Sequence, residues 1–307
     1  MSDSSFKVIN SDDVDLKKWE SILEKTNSSY SQYCEYWYIN SICKKWKVIV
    51  KDDYSSAFPF AVALKGGISL VYQPFFSRQF TFLGNYDNEF VSFVFSFLST
   101  NFKWIRINLP FLFKSSEASI SKRRFQQLDL SGSYQSISAN YSTNVKRILK
   151  KSLGFSMKKC NDIETFTNFF KKHVGGRIGL KKSNYTHFSA LIKNGLNNQR
   201  FQLFSIHLND EIQGYVCFYF HKNIINYFKG ALNENGKKSG AMFFAFDQLI
   251  KQNTSKGCIF DFGGSNVDSI ANFNKKFGAQ DKLYYSYEHN TLSKAVQKVI
   301  EVKNKFS

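Results

Sequence analysis

The sequence predicts an α/β (α+β) fold built as two similarly organised domains. Three observations carry that expectation. The order helices, antiparallel strands, helix, strand occurs twice along the chain. At 307 residues the chain is long for one core and comfortable for two. Residues 257–279, GCIFDFGGSNVDSIANFNKKFGA, read as a short buried strand, a glycine turn at Gly263 and Gly264, and a helix that opens after Ser265-Asn266 and closes at Gly278.

The first round opens with an amphipathic helix over 12–26. Val14, Leu16, Trp19, Ile22 and Leu23 supply its apolar stripe, and acids cluster near its start. An aromatic-rich helix follows over 31–44. Strands are expected at 46–50, 58–64, 68–72 and 79–83, punctuated by Asp52-Asp53, Gly66-Gly67 and Pro74. A helix over 87–100 and strands at 103–109 and 124–130 complete the round. Residues 133–152 are rich in Ser and Asn, then basic. The boundary is placed there, giving domains 1–135 and 136–290 and a basic C-terminal helix, 291–307.

The second round opens with a strand at 155–159. Helices follow over 162–173 and 184–197, with Asp162 and Asn184 as caps. Three antiparallel strands come next, at 201–208, 212–220 and 224–232, with turns at Asn209-Asp210 and Lys222-Asn223. A polar loop over 233–239 leads into a helix over 240–251. The central strand, turn and helix then lead to a strand at 283–287.

The net charge of +18 favours polyanionic partners such as nucleic acid, a phosphorylated substrate or a membrane surface, or else a dispersed solvated lysine face. Phe at 33, Tyr at 16 and Pro at 3 are not the composition of a disordered chain. The five cysteines lack CxxC spacing, which argues against a disulfide framework or a zinc site and fits a reducing, cytoplasmic setting. The N-terminus lacks the regions of a signal peptide, and the longest apolar stretch, near 90–98, is too short to span a bilayer. The five histidines show no metal spacing and no nucleophile partner, so no metal site is expected. GxSxG, HExxH and Walker motifs are absent.

Four stretches stand out. In NENGKKSGA (233–241), Gly236 and Gly240 let the backbone approach a ligand, amides at a helix start attract phosphate oxygens, and Lys237 and Lys238 add charge; an ordinary solvated turn has the same composition. DFGGS (261–265) sets an acid at a strand end beside two glycines, which suits a ligand-contacting turn or a helix cap. YQPFFSRQ (72–79) reads as a paved acceptor cleft or a packed aromatic turn. YSTNVKRILKKS (141–152) places Lys146, Lys150 and Lys151 near one helix face, for a phosphate or RNA backbone, or only for water.

Strand, loop, helix and strand, followed by Asn266, Ala271, Asn274, Gly278 and Ala279, resemble the second half of a GNAT acyltransferase domain. The whole chain more closely resembles the Fem-type branch, the peptidoglycan-bridge aminoacyltransferases and their bacterial relatives, which carry two tandem GNAT-like domains. The matching features are YSTNVKRILKKS at the junction, the DFGGS turn, Phe273, Phe277-Gly278 and the 46–83 segment with its YQPFF. The resemblance implies two tandem GNAT-like domains, each a mixed, mostly antiparallel sheet flanked by helices, with the acceptor on the N-terminal side and the donor on the C-terminal side. Two positions depart from the pattern. The acyl-CoA loop, Gln/Arg-x-x-Gly-x-Gly/Ala, places Lys237 in its basic slot when anchored on Gly240, but Met242 in its last. Anchored on Ser239 and Ala241, the basic slot is Gly236. The leaving-group tyrosine of many GNATs, and the lysine of the Fem-type Phe-Lys-xx-Phe-Gly, fall at Asn274, with Lys275 and Lys276 next.

The reaction implied is attack of an amine on a thioester or ester carbonyl, with acyl-CoA or aminoacyl-tRNA as co-substrate and no tightly bound cofactor. The acceptor is a small-molecule or cell-wall or polysaccharide precursor amine. Lys237, Lys238, Ser239, Gly240 and Ala241 are expected to hold the donor. Asn274, Lys275 or Lys276 stabilises the leaving group or carbonyl oxygen, and Asp261 orients or deprotonates the amine. Tyr72, Gln73, Arg78, Lys146 and Arg147 face the acceptor. The competing expectations are an RNA-binding or polyanion-binding protein and a transferase fold kept as a scaffold.

Overall fold

The structure, a computed structural model, describes residues 5–28, 30–176, 178–264 and 266–298. The chain divides into two compact units, Met1–Arg123 with Leu283–Ser307, and Arg124–Lys282. The boundary expected at 135/136 falls at 123/124, because the polar stretch that suggested it is structured. Ile137, Tyr141 and Val145 of that stretch are buried in the core of the second unit.

In the first unit the strands are β1 (Phe6–Asn10), β2 (Trp46–Lys51), β3 (Ser56–Lys65), β4 (Ile68–Tyr72), β5 (Leu83–Gly84), β6 (Trp104–Leu109) and, from Leu283 on, the last strand, β13 (Gln280–Asn290). They run in the order β1-β2-β3-β4-β6-β13, with β5 on β3. All pairings are antiparallel except β4 with β6. Helices α1 (Leu16–Lys25), α2 (Tyr36–Ile42) and α3 (Asn88–Asn101) accompany the sheet. Asp15 caps α1 and Asp87 caps α3 through their side chains. The core is aromatic: Trp19, Trp46, Phe58, Phe60, Phe80, Phe82 and Phe90 are all fully buried. The indole of Trp19 keeps its donor satisfied on the Cys34 carbonyl at 3.0 Å.

The strand expected at 79–83 is mostly irregular. Only Leu83–Gly84 pairs in a ladder; the Phe80 amide donates to the Asn108 carbonyl at 3.2 Å, and side chains hold the turn that leads into the segment. Gln73 Nε2 donates to the Ser77 carbonyl and hydroxyl at 3.2 and 3.0 Å, Ser77 Oγ donates to the Gln79 carbonyl at 3.2 Å, and Asn108 Nδ2 donates to the Arg78 carbonyl at 2.7 Å.

The second unit holds, from Arg124 on, β7 (Ser119–Asp129), then α4 (Tyr134–Ala139), α5 (Thr143–Lys150), β8 (Phe155–Cys160), α6 (Ile163–Phe170), α7 (Lys182–Asn197), β9 (Phe201–Leu208), β10 (Glu211–His221), β11 (Ile224–Leu232), α8 (Glu234–Ser239), α9 (Ala241–Asn253), β12 (Ile259–Gly264) and α10 (Asp268–Lys275). Helix α6 runs on into a π-helical turn, Lys171–Gly175. The strand order is β7-β12-β11-β10-β9-β8, antiparallel except for β11 with β12.

Alternation sorts the side chains of this sheet onto two faces. Val216, Phe218, Ile225 and Phe260 join residues of α4, α5, α9 and α10 in one apolar cluster. Tyr215 and Phe228 point the other way, against Phe166 of α6 and Phe188 of α7, with ring centroids 5.8 and 5.9 Å apart. The expected loop at 233–239 is helix α8, because Asn233 caps it by accepting from the Gly236 amide at 2.6 Å. The expected glycine turn is strand instead: β12 continues through Gly263, at φ 80°, to Gly264, with a register shift against β7. Of the expected C-terminal helix, the described part is helical from Lys294, and Leu292 and Val296 pack against Leu70 and Trp104. Residues 299–307 of that helix lie outside the described residues, as does Ser265, where the helix before Gly278 was expected to open.

Candidate active site

The second unit contains a wedge. Strands β11 and β12 pair in parallel only at Ile224 with Ile259, Ile225 with Phe260 and Asn226 with Asp261. Beyond Asn226, β11 continues to Leu232 on β10, while β12 continues on β7. The β12-facing edge of β11 after Asn226 therefore has no ladder partner in β12. Unpaired backbone groups of a strand edge are ready to pair with an extended ligand. A bulge lies at this point: Phe218 pairs with Tyr227 but Cys217 with Lys229, so Phe228 is the extra residue. The Tyr227 hydroxyl titrates above its ordinary value because it is buried.

A polar row crosses the sheet beside the wedge. Gln127, Asp261 and Asn226 are register neighbours on β7, β12 and β11. All three are buried on the face away from the large apolar cluster. Asp261 accepts from Gln127 Nε2 at 3.3 Å and from the Gly263 amide at 2.9 Å. The carboxylate is thereby held on a rigid strand at the point where the two strands part.

Helix α9 starts where β11, through α8, leads the chain. Gly240, at φ 87° and ψ 26°, ends α8 and caps α9 with no side-chain cap. A side chain there would be strained and would meet Ile148 of α5 at 2.5 Å. The first amides of the 13-residue α9 carry the positive end of its dipole. Of the expected donor residues, Gly240 and Ala241 stand at this terminus. The Ser239 hydroxyl donates to the Asn235 carbonyl at 2.7 Å. Lys237 pairs with Glu234 at 2.5 Å, and that contact lowers the Glu234 pKa. Lys238 is exposed on α8.

The residues expected at the leaving group separate into engaged and available groups. Asn274 is buried and its Nδ2 donates to Gln126 Oε1 at 2.9 Å. Gln126 Nε2 donates to Asp281 at 2.8 Å, and Lys275 pairs with Asp281 at 2.5 Å. The Lys275 contact, helped by the Gln126 hydrogen bond, holds the Asp281 carboxyl below its ordinary range against the opposing effect of burial. Lys276 follows α10 and, among the described residues, its amine has no ion-pair partner.

The expected acceptor residues lie in different units. Tyr72 and Gln73 belong to the first, where burial raises the Tyr72 pKa and Gln73 braces the 73–80 loop, also accepting from the Asn108 amide at 3.0 Å. Arg78, in the same unit, lies over the rings of Tyr30 and Tyr33 at 5.6 and 5.7 Å. Lys146 and Arg147 are exposed on α5 of the second unit; Lys146 donates to the Ala139 carbonyl at 2.7 Å and Arg147 to Asn144 at 3.1 Å. Sequence reasoning missed Gln127, Asn226 and Lys229. Each is one polar residue in a strand pattern, and the only local signal was a break in apolar alternation. Among the described residues, no group of three or more His, Cys, Asp or Glu is placed to hold a metal, and no helix is long and apolar enough to cross a membrane.

The fold is that of similar solved structures: the chain has the Fem-type, tandem-GNAT fold. In particular it is similar to FemX, with a TM-score of 0.65 at 11% identity over 94% of this chain and 98% of that one. It is also similar to L-PGS from Bacillus licheniformis, at 0.52 and 14% over 94% and 96%. A third similar structure is a tandem GNAT protein from the clavulanic acid biosynthesis pathway, at 0.53 and 8% over 94% and 100%. No protein-family model and no curated protein sequence matches the chain.

Proposed function

We propose that the protein is an N-acyltransferase that moves an acyl or aminoacyl group from acyl-CoA or aminoacyl-tRNA to an amine. The observation that carries this reading is the parting of β11 from β12 beside the α9 N-terminus. An extended donor arm that pairs with the open edge of β11 brings its carbonyl to the polar row. Its phosphates then face the first amides of α9, with Lys238 nearby. Asp261 orients the incoming amine. Lys276, after α10, relieves charge on the leaving thiolate or ribose oxygen. Catalysis of this kind rests mainly on positioning and on preorganised donors, each worth several kcal/mol in general. The names of the similar structures agree with this chemistry, since they include a FemX and a GNAT protein. The acceptor is an amine on a small molecule or a cell-wall or polysaccharide precursor.

A second reading, a transferase fold kept as a scaffold, is favoured by Asn274 and Lys275, which are spent on the Gln126–Asp281 network. The deciding experiment is thermal stability with acetyl-CoA, free CoA and total aminoacylated tRNA, at moderate and high salt. A donor at a hundred times its Kd adds roughly 2.7 kcal/mol. A salt-tolerant shift that is lost in Lys237→Ala/Lys238→Ala supports the transferase. No shift, or one that any polyanion gives and salt abolishes, favours the scaffold.

A further inference from the structure

We propose that Lys229 is the general base of the transfer, the group that removes a proton from the acceptor amine. This rests on the transferase reading and adds to it a catalytic residue and a substrate property. Lys229 sits on β11 at the bulge, on the stretch of strand that lines the wedge. Its register partner, Cys217, is buried on the face covered by α6 and α7, opposite α9. The bulge turns Lys229 to that same face, where its amine lies 5.9 Å from the Phe228 ring centroid. A donor entering from the α9 side thus presents its carbonyl to an amine entering from the Lys229 side.

The surroundings keep this amine unpaired. Lys229 is part-buried between Phe228 and Ala231, both buried. Among the described residues it has no hydrogen-bond or ion-pair partner. The elements packed on β11 contain carboxylates and cations, but these are committed elsewhere or do not reach it. Glu164 is exposed on α6. Glu234 of α8 pairs with Lys237, and Asp261 of β12 holds Gln127 and the Gly263 amide. Burial, and then the nearby Lys172 and Lys237, lower the pKa of His173 in the π-helical turn. Burial alone lowers the pKa of Lys229, with no acid to oppose it. A lysine whose amine snorkels to a partner has no such shift.

The step balances simply. The acceptor ammonium gives one proton to the neutral Lys229 amine. The acceptor nitrogen lone pair forms the C–N bond to the acyl carbonyl, the carbon–sulfur or carbon–oxygen bond breaks, and the second proton that the nitrogen loses goes to the departing thiolate or ribose oxygen. The acceptor this predicts is an ordinary alkylamine, protonated at neutral pH. An amine that is already neutral has no need of Lys229.

The test compares the full-length wild type with Lys229→Met and Lys229→Arg, using whichever of acetyl-CoA and aminoacyl-tRNA binds. Two probe nucleophiles are used: glycinamide, largely protonated near neutrality, and methoxyamine, which is not. Lys229→Met is expected to bind donor as the wild type does and to lose about a hundredfold or more of turnover with glycinamide. It should keep turnover with methoxyamine. The wild-type rate with glycinamide should also rise with pH, and that rise should be absent in the variant. Equal losses with both nucleophiles indicate a structural role and overturn the proposal, as does an unchanged rate with glycinamide, while donor binding leaves the transferase reading standing. A wild type that binds no donor removes that reading, and this proposal with it. Lysine side-chain NMR reads Lys229 without any substrate, its signal being the one missing in Lys229→Arg. Titration together with the surface lysines overturns the proposal even where turnover falls.

Discussion

Gly240→Ala tests the geometry on which the donor end depends. The substitution acts on two counts that can be separated. The left-handed backbone at φ 87° costs an alanine about 1–2 kcal/mol. The new Cβ would also stand 2.5 Å from Ile148 Cγ2, about 1 Å inside ordinary contact. Ile148 is β-branched and stiff on α5, so relief requires a shift of the helix, costing about 1–3 kcal/mol. Lower unfolded-chain entropy returns about 0.4–1 kcal/mol. The net loss should be about 3 kcal/mol, a large share of the stability of a typical domain. Urea unfolding should show a lower midpoint with an unchanged slope. Ile148→Ala in the same chain removes the clash but not the strained φ. The double-mutant cycle should therefore show a coupling of about 1–3 kcal/mol in favour of the pair. A loss below about 1 kcal/mol, or strictly additive effects, would refute the claim that Gly240 is demanded by both its backbone and α5.

Two further outcomes follow from the network under α10. Asn274→Leu leaves the buried Gln126 Oε1 without its donor and should destabilise the protein by about 1–3 kcal/mol, measured by thermal or urea unfolding. Adding Gln126→Leu should return part of that loss, because an apolar pair leaves no orphaned oxygen between them. Asp281→Asn should be pH-dependent. The folded Asp281 pKa is depressed, chiefly by Lys275, so its contribution is present above the ordinary carboxylate pKa and lost as pH falls through the folded value. The pair is about a third exposed, so the neutral-pH loss should be only a few tenths of a kcal/mol, and it should vanish in acid. A loss that persists unchanged in acid would show that packing, not charge, is responsible.

The sequence by itself determined the elements whose signals are local. Apolar alternation between Asn-Asp and Lys-Asn turns located β9, β10 and β11 to within a residue or so. Helical spacing with an acidic cap located α3 and α6. The recurring order of elements was enough to expect two similarly built α/β units, and the family resemblance made them GNAT-like. Tertiary structure decided the rest, because those outcomes depend on partners distant in the chain. At α8 the Asn233 cap was a local signal, but that the residue after the helix must lack a side chain depends on Ile148, some 90 residues earlier in the chain. The glycines of DFGGS stayed in strand because β7 pairs with Gly264. Residues 79–83 pair in a ladder only at Leu83, and the turn before them is held by side-chain bonds from Asn108 to Arg78 and from Gln73 to Ser77. Asn274 reads as a substituted catalytic position until Gln126, 148 residues away, is found to hold it. Lys229 reads as one lysine among many in a chain of charge +18. What sets it apart is a bulge, a parting of strands and, among the described residues, the absence of a nearby acid, and those are properties of pairing across the sheet that no local pattern encodes.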